Sequence, residues 1–523
     1  MKTNLNLKTM RICRRLALAS VCSLSLEAQT VLPATGGGAS DPRELIAQAV
    51  ENNLGLQVER LEVEIREANI DAEWGRFSPV VNFEIGVDKV YRRRNAQELA
   101  TDSIFSGLGP TFEGERGYFT TSLGGRLPLG TTYELATGST RNQNTFTDQA
   151  GTPFAPEYGS DVRLTLTQPL LKNFGLDVNL APVNIAKSER RIAEHETEGA
   201  IEAVMARVLL ACYEAYFAEQ NVAVKEESIV LAERLLGDNR KRVDQGRMSA
   251  IDVTQAEARL AEAQAERIEA VSFFRERQAR LRELTQTRYE FGGAAYSFAT
   301  LGELLPLPAT VAEPETFVAT LLEQNPDFLA SVGQAEAEGV RVVFSRNQTY
   351  PEVNLRLSVG TSGLENDFGS SYRDFEERDG VDWGAALVLS MPLDNRTAKA
   401  QLRAAERRES QALLRVKETE IQLLRALDTA VENLKAGFER RRLIAESVRL
   451  AEEALVAEET RLANGVTTNN EVLNQQRELS VSQTQALAAE VEVHKAWLQL
   501  LLIQGILSEE LGFNMKFEEG AEG

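Results

Sequence analysis

The sequence predicts an α+β fold made mainly of long, coiled-coil-like helices, with a few antiparallel strands and the whole layout written twice. Three observations carry that expectation. A heptad seam runs through residues 201–284, alternating apolar and polar segments follow Pro79 and Pro351, and the chain superposes on itself when slid by a fixed offset.

The chain of 523 residues begins with a basic stretch holding Lys2, Lys8, Arg11, Arg14 and Arg15, followed by an uncharged apolar run from Leu16 to Leu26. That is the layout of a secretory leader, expected over residues 1–28 with cleavage near Ala28, although Leu26 stands where a small residue is preferred. Cys22 is preceded by Val21, which argues against lipidation there. Losing the leader's five basic residues and Glu27 takes the formal charge from −21 to −25. So acidic a surface makes a nucleic-acid partner an unpromising expectation. Cys212 is then the one remaining thiol, so stability has to come from packing. No other apolar run approaches the ~18 residues of a membrane-spanning helix.

A helix is expected over residues 43–76. At Pro79 the period changes: Val81, Phe83, Ile85 and Val87 alternate with Asn82, Glu84, Gly86 and Asp88. An offset of 272 carries Glu51, Asn53, Pro79, Val81 and Asn82 onto Glu323, Asn325, Pro351, Val353 and Asn354. An offset of 223 then carries Leu164, Leu166, Pro169 and Leu170 onto Leu387, Leu389, Pro392 and Leu393. Pro79, Pro169, Pro351 and Pro392 mark strand–helix junctions, since proline withholds a ladder donor and suits a first helical turn. The fall from 272 to 223 leaves 49 additional residues in the first copy. Within them, Phe119–Leu127 and Thr131–Ser139 read as a further hairpin around Pro128-Leu129-Gly130, with a long irregular loop as the alternative.

Next comes a hairpin of two long helices, 182–246 and 249–286. Ile201, Val208, Ala215, Val222, Ile229 and Leu236 form one row of the first arm, and Val204, Ala211, Ala218 and Ala232 form the other. The return arm has Val253, Leu260, Phe274 and Leu281 against Ala256, Ala263, Ala270 and Leu284. Sixty residues of helix span about 90 Å at 1.5 Å per residue. An alanine-rich row allows close approach but supplies little apolar area, so such helices need neighbours on both flanks. The hairpin recurs at an offset of 219, with Val472, Leu479, Ala486, Val493, Leu500 and Leu507 on its return arm. The expected organisation is a first repeat over 29–305, holding strands within 80–170, and a second over 306–523. The second comprises a helix 315–346, strands within 352–391 and long helices 396–464 and 468–508, with 286–314 as connector.

Each strand has one apolar and one polar face, and four or six strands cannot close around a channel. A lipid-exposed face with strands pooled from several chains is one reading, for which Phe83, Tyr91, Phe119 and Trp383 suit an aromatic girdle. A soluble sandwich with the apolar faces packed together is the other.

The two helical turns are near copies: Arg242-Val243-Asp244-Gln245-Gly246 and Arg461-Leu462-Ala463-Asn464-Gly465. Ser249 or Thr468 follows, then Asp252 or Glu471, the spacing of a capping box behind a left-handed glycine. Capping accounts for much of this pattern, while an arginine beside an apolar residue at an exposed tip also suits a docking partner. Catalysis is not suggested: His195 and His494 are isolated on helices, no glycine-rich phosphate loop follows a strand, and no cofactor or metal is expected.

The paired Arg-(Val/Leu)-x-x-Gly turns, the Gln168-Pro169-Leu170 strand exit, the duplicated layout and the leader resemble the TolC-like outer-membrane efflux protein family over residues 43 to about 510. The resemblance implies a homotrimer with a shared transmembrane β-barrel in the outer membrane, continued by an α-barrel into the periplasm of a Gram-negative-type cell. It also implies that the turns dock a periplasmic adaptor, and through it an inner-membrane pump, placing Arg242, Val243, Gly246, Arg461, Leu462 and Gly465 at that contact. The additional 49 residues depart from the compact pattern of four strands per protomer. The function expected is a passive export duct opened at its helix tips, against the alternative of a periplasmic coiled-coil scaffold or tether without a pore.

Overall fold

The computed structural model describes residues 41–100, 109–147, 155–286, 289, 291, 295–298, 301, 305–377 and 380–513. The leader expected over 1–28 lies outside the described residues. The order along the chain is α1 (Pro42–Asn52), α2 (Leu54–Trp74), β1 (Val80–Arg93), α3 (Ala96–Ala100), β2 (Thr111–Arg126), β3 (Thr132–Asn144) and β4 (Glu157–Pro169). Then follow α4 (Leu176–Asn179), the long helices α5 (Ala181–Asp244) and α6 (Ala250–Thr285), α7 (Val318–Gln324), α8 (Pro326–Asn347) and β5 (Glu352–Glu365). The last described elements are α9 (Phe368–Glu377), β6 (Asp382–Ser390), α10 (Arg396–Ala463), α11 (Asn469–Gln504) and α12 (Leu507–Glu510).

Two expectations need correction. The helices read as continuous over 43–76 and 315–346 are each broken, at Asn53 and Asn325, whose backbones are extended with ψ of 115° and 119°. Pro326 disfavours helical geometry at Asn325, and the Asn325 side chain caps α8 by accepting from the Phe328 amide at 2.9 Å. The breaks lie 272 residues apart, so the interruption itself is duplicated. The sequence reading also missed α9, which is inserted between the two strands of the second copy.

Contacts divide the chain into two units, each drawing on both sequence repeats. Residues 54–200 and 314–428 contain the sheet. Its six strands run in sequence order, β1 to β6, every neighbour antiparallel. The stretch read as a further hairpin forms β2 and β3, turning at Gly130, whose φ of 100° suits a residue without Cβ. Register follows the pleat. Ile85 faces Phe119, Phe119 faces Ser139, Ser139 faces Ser160 and Ser160 faces Gly363, all on one side. At that end α9 lies on the sheet. Its Ser371 hydroxyl meets Ser160 at 2.6 Å, Tyr372 donates to the Gly138 carbonyl at 3.2 Å, and Phe368 packs on Phe119 at 5.8 Å between ring centroids. The small row Ser139, Ser160 and Gly363 makes the room.

The other unit, residues 41–53, 201–313 and 429–513, is a helical bundle. The seam of α5 is its core: Val204, Val208, Ala211, Ala215, Ala218 and Ala232 are buried, together with Met205, Leu209 and Tyr213. On α6 the alanine row Ala256, Ala263 and Ala270 is buried while Val253, Leu260 and Phe274 are half-buried. Close packing therefore runs along the small residues, as the alanine spacing implied. Arg259 is buried in this bundle and reaches Glu262 and Glu266, each at 3.0 Å. Lys225 also meets Glu266 at 3.1 Å, and Arg477 meets Glu262 at 2.9 Å. The hydrogen bond from Arg477 holds the Glu262 carboxyl below its usual pKa. Burial pushes Glu266 upward, but the bonds from Arg259 and Lys225 outweigh it and the net shift is downward.

Candidate functional site

The sheet leaves its apolar face bare. Phe83, Ile85 and Val87 of β1 are 65%, 72% and 72% exposed, and at the opposite edge Trp383 and Leu387 of β6 are 80% and 67% exposed. Side chains directly opposite each other share a face. Val81, Leu123, Leu135, Leu164, Val359 and Trp383 therefore continue one apolar surface across all six strands. The other face carries Asn82, Glu84, Asp88, Ser122, Thr120, Asp161, Arg163, Arg356 and Ser358. Soluble domains rarely leave so large an apolar patch open, and burying each such side chain is worth roughly 1.5–3 kcal/mol. Within the sheet unit, α9 covers only the end marked by Phe119 and Ser160. Of the aromatics read as a girdle, Phe83, Tyr91 and Trp383 stand exposed, whereas Phe119 turns to Phe368.

Among the described residues both edges of the sheet are open, since β1 pairs there only with β2 and β6 only with β5. The four prolines frame the strands: Pro79 precedes β1, Pro169 ends β4, Pro351 precedes β5 and Pro392 follows β6. Beyond β1, Glu98 of α3 accepts two hydrogen bonds from Arg92, at 2.7 and 2.5 Å. Those bonds, and one from the Asn95 amide, hold its carboxyl down at about 2.

At the far ends of the long helices the two turns share a backbone. Gly246 and Gly465 are left-handed, with φ of 68° and 73°. The amide of Arg247 reaches back to the Arg242 carbonyl at 2.8 Å, and that of Val466 to Arg461 at 2.9 Å, the closure of a Schellman motif. Ser249 and Asp252 form a reciprocal capping box at the start of α6. Thr468 keeps the extended cap backbone, but its side chain makes no capping bond, and Glu471 is exposed in the first turn of α11.

Their side chains part company. Arg242 is half-buried and donates to the Leu462 carbonyl at 3.0 Å, so it ties one turn to the other. Arg461 points outward and pairs at 2.6 Å with Glu458 on its own helix. Leu462, read as an exposed partner of that arginine, is 7% exposed and belongs to the cluster of Leu235, Ala451, Leu455, Val472, Leu473 and Leu479. Val243 is half-buried, and the apolar side chain left open at this turn is Val466.

Behind the turns lies a buried pair that sequence reasoning missed. Asn239 donates to Asn469 at 2.8 Å, and Asn469 donates to the Asp252 carbonyl at 3.3 Å. A signal was present: Asn239 falls on the heptad row of Val204, Ala211, Ala218 and Ala232, where a polar residue fixes register at a cost in stability.

Among the described residues no group of three or more His, Cys, Asp or Glu side chains could hold a metal, and no helix is long and apolar enough to cross a membrane.

The family model described as outer membrane efflux protein matches residues 45–286 and 318–505. No curated protein matches the chain. Among solved structures, the chain is similar in fold to CusC, with 15% identity, a TM-score of 0.61 and coverage of 89% of this chain and 92% of that one. It is likewise similar to the CmeC outer membrane channel of Campylobacter jejuni, with 13% identity, a TM-score of 0.59 and coverage of 92% and 88%. For the outer membrane protein VceC of Vibrio cholerae the identity is 17%, the TM-score 0.58 and the coverage 89% and 96%.

Proposed function

The chain belongs to the outer membrane efflux protein family, and from that premise we propose that it is a passive, homotrimeric export duct. Three copies pool their strands into one barrel in the outer membrane, with the apolar face on lipid and the polar face on a water-filled lumen. The long helices of the three copies line the periplasmic stretch of the route. An inner-membrane pump supplies the energy, and a periplasmic adaptor joins it to the duct at the helical turns.

The bare apolar face of the sheet carries this reading. A face that exposes Ile85, Val87, Trp383 and Leu387 is stable where hydrocarbon replaces water, and the alternation with Asn82, Glu84 and Asp88 suits a wall between lipid and water. At the turns, Arg461, which points outward with its one ion pair to Glu458 of its own helix, and the exposed Val466 are turned toward a partner. Arg242 and Leu462 instead hold the tips together, so opening requires the Arg242 hydrogen bond to Leu462 to be exchanged.

The test is fractionation followed by substitution. The mature protein is expected in outer-membrane fractions as a heat-modifiable trimer, and Arg461→Ala is expected to abolish export while leaving that trimer intact. Recovery of a soluble monomer without detergent overturns the duct, and normal export by both Arg461→Ala and Gly465→Ala overturns the docking role.

A further inference from the structure

The internal repeat fixes how one copy's sheet meets the next. Within the chain, the last strand of the first repeat, β4, pairs with the first strand of the second, β5. That junction sets Ser160 opposite Gly363, Leu164 opposite Val359 and Leu166 opposite Leu357. The repeat offsets relate β4 to β6 by 223 residues and β5 to β1 by 272, and they keep Leu164 as Leu387, Leu166 as Leu389, Pro169 as Pro392 and Asn354 as Asn82. The two open edges of the sheet, β6 and β1, are therefore the repeat equivalents of two strands that already pair.

We infer that β6 of one copy pairs antiparallel with β1 of the next in the register inherited from β4 and β5, closing a barrel of six strands per copy. The inherited register places Trp383 opposite Tyr91 of the next copy, Ala385 opposite Lys89, Leu387 opposite Val87 and Leu389 opposite Ile85. Every one of these lies on the apolar face of its own sheet. A one-residue slip in either offset would have set apolar side chains against polar ones. On the other face the same register sets Gly384 opposite Val90 and Val388 opposite Gly86, small against large. It also joins the exposed rings of Trp383 and Tyr91 in one cross-strand pair.

The inference rests on the shared barrel proposed above and adds its seam and its size. The β2–β3 hairpin lies in the plane of the sheet between β1 and β4. It therefore widens the wall, and three six-stranded copies give eighteen strands. Barrel diameter grows roughly linearly with strand number, and barrels of about 16–18 strands leave an aqueous channel.

Paired cysteines in the full trimer test the seam. Leu387→Cys with Val87→Cys is expected to form a disulfide between copies, giving a reducible ladder up to the trimer. Within one copy the two positions stand five strand spacings apart, roughly 24 Å along the sheet, well beyond the ~7 Å limit for a disulfide. Cys212 is buried, with its thiol pushed up to about 12, and does not compete. Leu387→Cys with Asp88→Cys, on opposite faces, is expected to stay uncross-linked. A ladder dominated by Leu387→Cys with Ile85→Cys or Lys89→Cys overturns the register. So does the absence of any ladder from a trimer that remains intact in detergent, which leaves the duct itself standing. Electron microscopy of that trimer is expected to show eighteen strands; twelve, with the β2–β3 hairpin off the wall, overturns the wider barrel.

Discussion

The side-chain amide of Asn239 donates to the side-chain carbonyl of Asn469 across 2.8 Å, with both residues buried behind the helical turns. The bond joins α5 to α11, one helix from each sequence repeat, at the end where the duct is proposed to open. Losing a partner from a buried hydrogen bond costs about 1–3 kcal/mol. Asn239→Ala is accordingly expected to lower hydrogen-exchange protection over residues 239–252 by roughly that amount. A double-mutant cycle with Asn469→Ala should show non-additive losses; additive ones would mean that the pair is not coupled.

Gly246 and Gly465 close their turns in left-handed geometry, and a Cβ at either would meet nothing within 4 Å. The penalty for a side chain is therefore conformational rather than steric, about 1–2 kcal/mol for alanine. Asparagine, which tolerates this region better, should lose less. Exchange of the Arg247 and Val466 amides, which complete the two turns, reads this out. Equal protection in the glycine, alanine and asparagine forms would rule out a conformational role.

Gly363 faces Ser160 beneath α9, and a Cβ there would run into the backbone carbonyl of Ser371. Backbone cannot rotate aside as a side chain can, so Gly363→Ala is expected to lift α9 from the sheet and break the Ser160–Ser371 hydrogen bond. Limited trypsin digestion at Arg373, measured on the assembled protein, should accelerate severalfold while the trimer persists. An unchanged cleavage rate would show that α9 absorbs the added methyl group in place.

These elements differ in how visible they were in the sequence. Periodicity exposed the long helices and the strands because one face of each repeats over many turns or pleats, and the Pro79/Pro351 and Pro169/Pro392 pairs fixed the strand borders within two residues. The turns were readable as backbone, since Gly246 and Gly465 demand left-handed geometry whatever surrounds them. Their side chains were not: Arg242 and Arg461 hold equivalent positions in near-copy turns, and only tertiary packing sends one to a carbonyl and the other outward. The sequence of α9 shows little kinship to its repeat equivalent: 272 residues earlier stands the short α3, which likewise begins three residues after its strand. In addition, α9 rests on a row of small residues whose register emerges only from strand pairing.

His494 packs in the bundle against Tyr213, with 5.6 Å between ring centroids, and its Nδ1 has no hydrogen-bond partner among the described residues. Burial, reinforced by the charge of Arg441, lowers its pKa from the usual 6.5 to about 4. The folded protein thus holds the ring neutral while the unfolded chain takes up a proton once the pH drops below about 6.5. Stability from this group is complete above that value, declines as the pH falls toward about 4, and changes no further below it. Carboxylates titrate in the lower part of the same window, so the informative quantity is a difference between proteins. His494→Phe keeps an aromatic ring beside Tyr213 and cannot titrate. Its guanidinium unfolding midpoint should fall less steeply than the native protein's between pH 6.5 and 4.5, by up to one proton's worth of slope per chain. Parallel pH profiles for the two proteins would show that His494 takes up its proton equally in the folded and unfolded states.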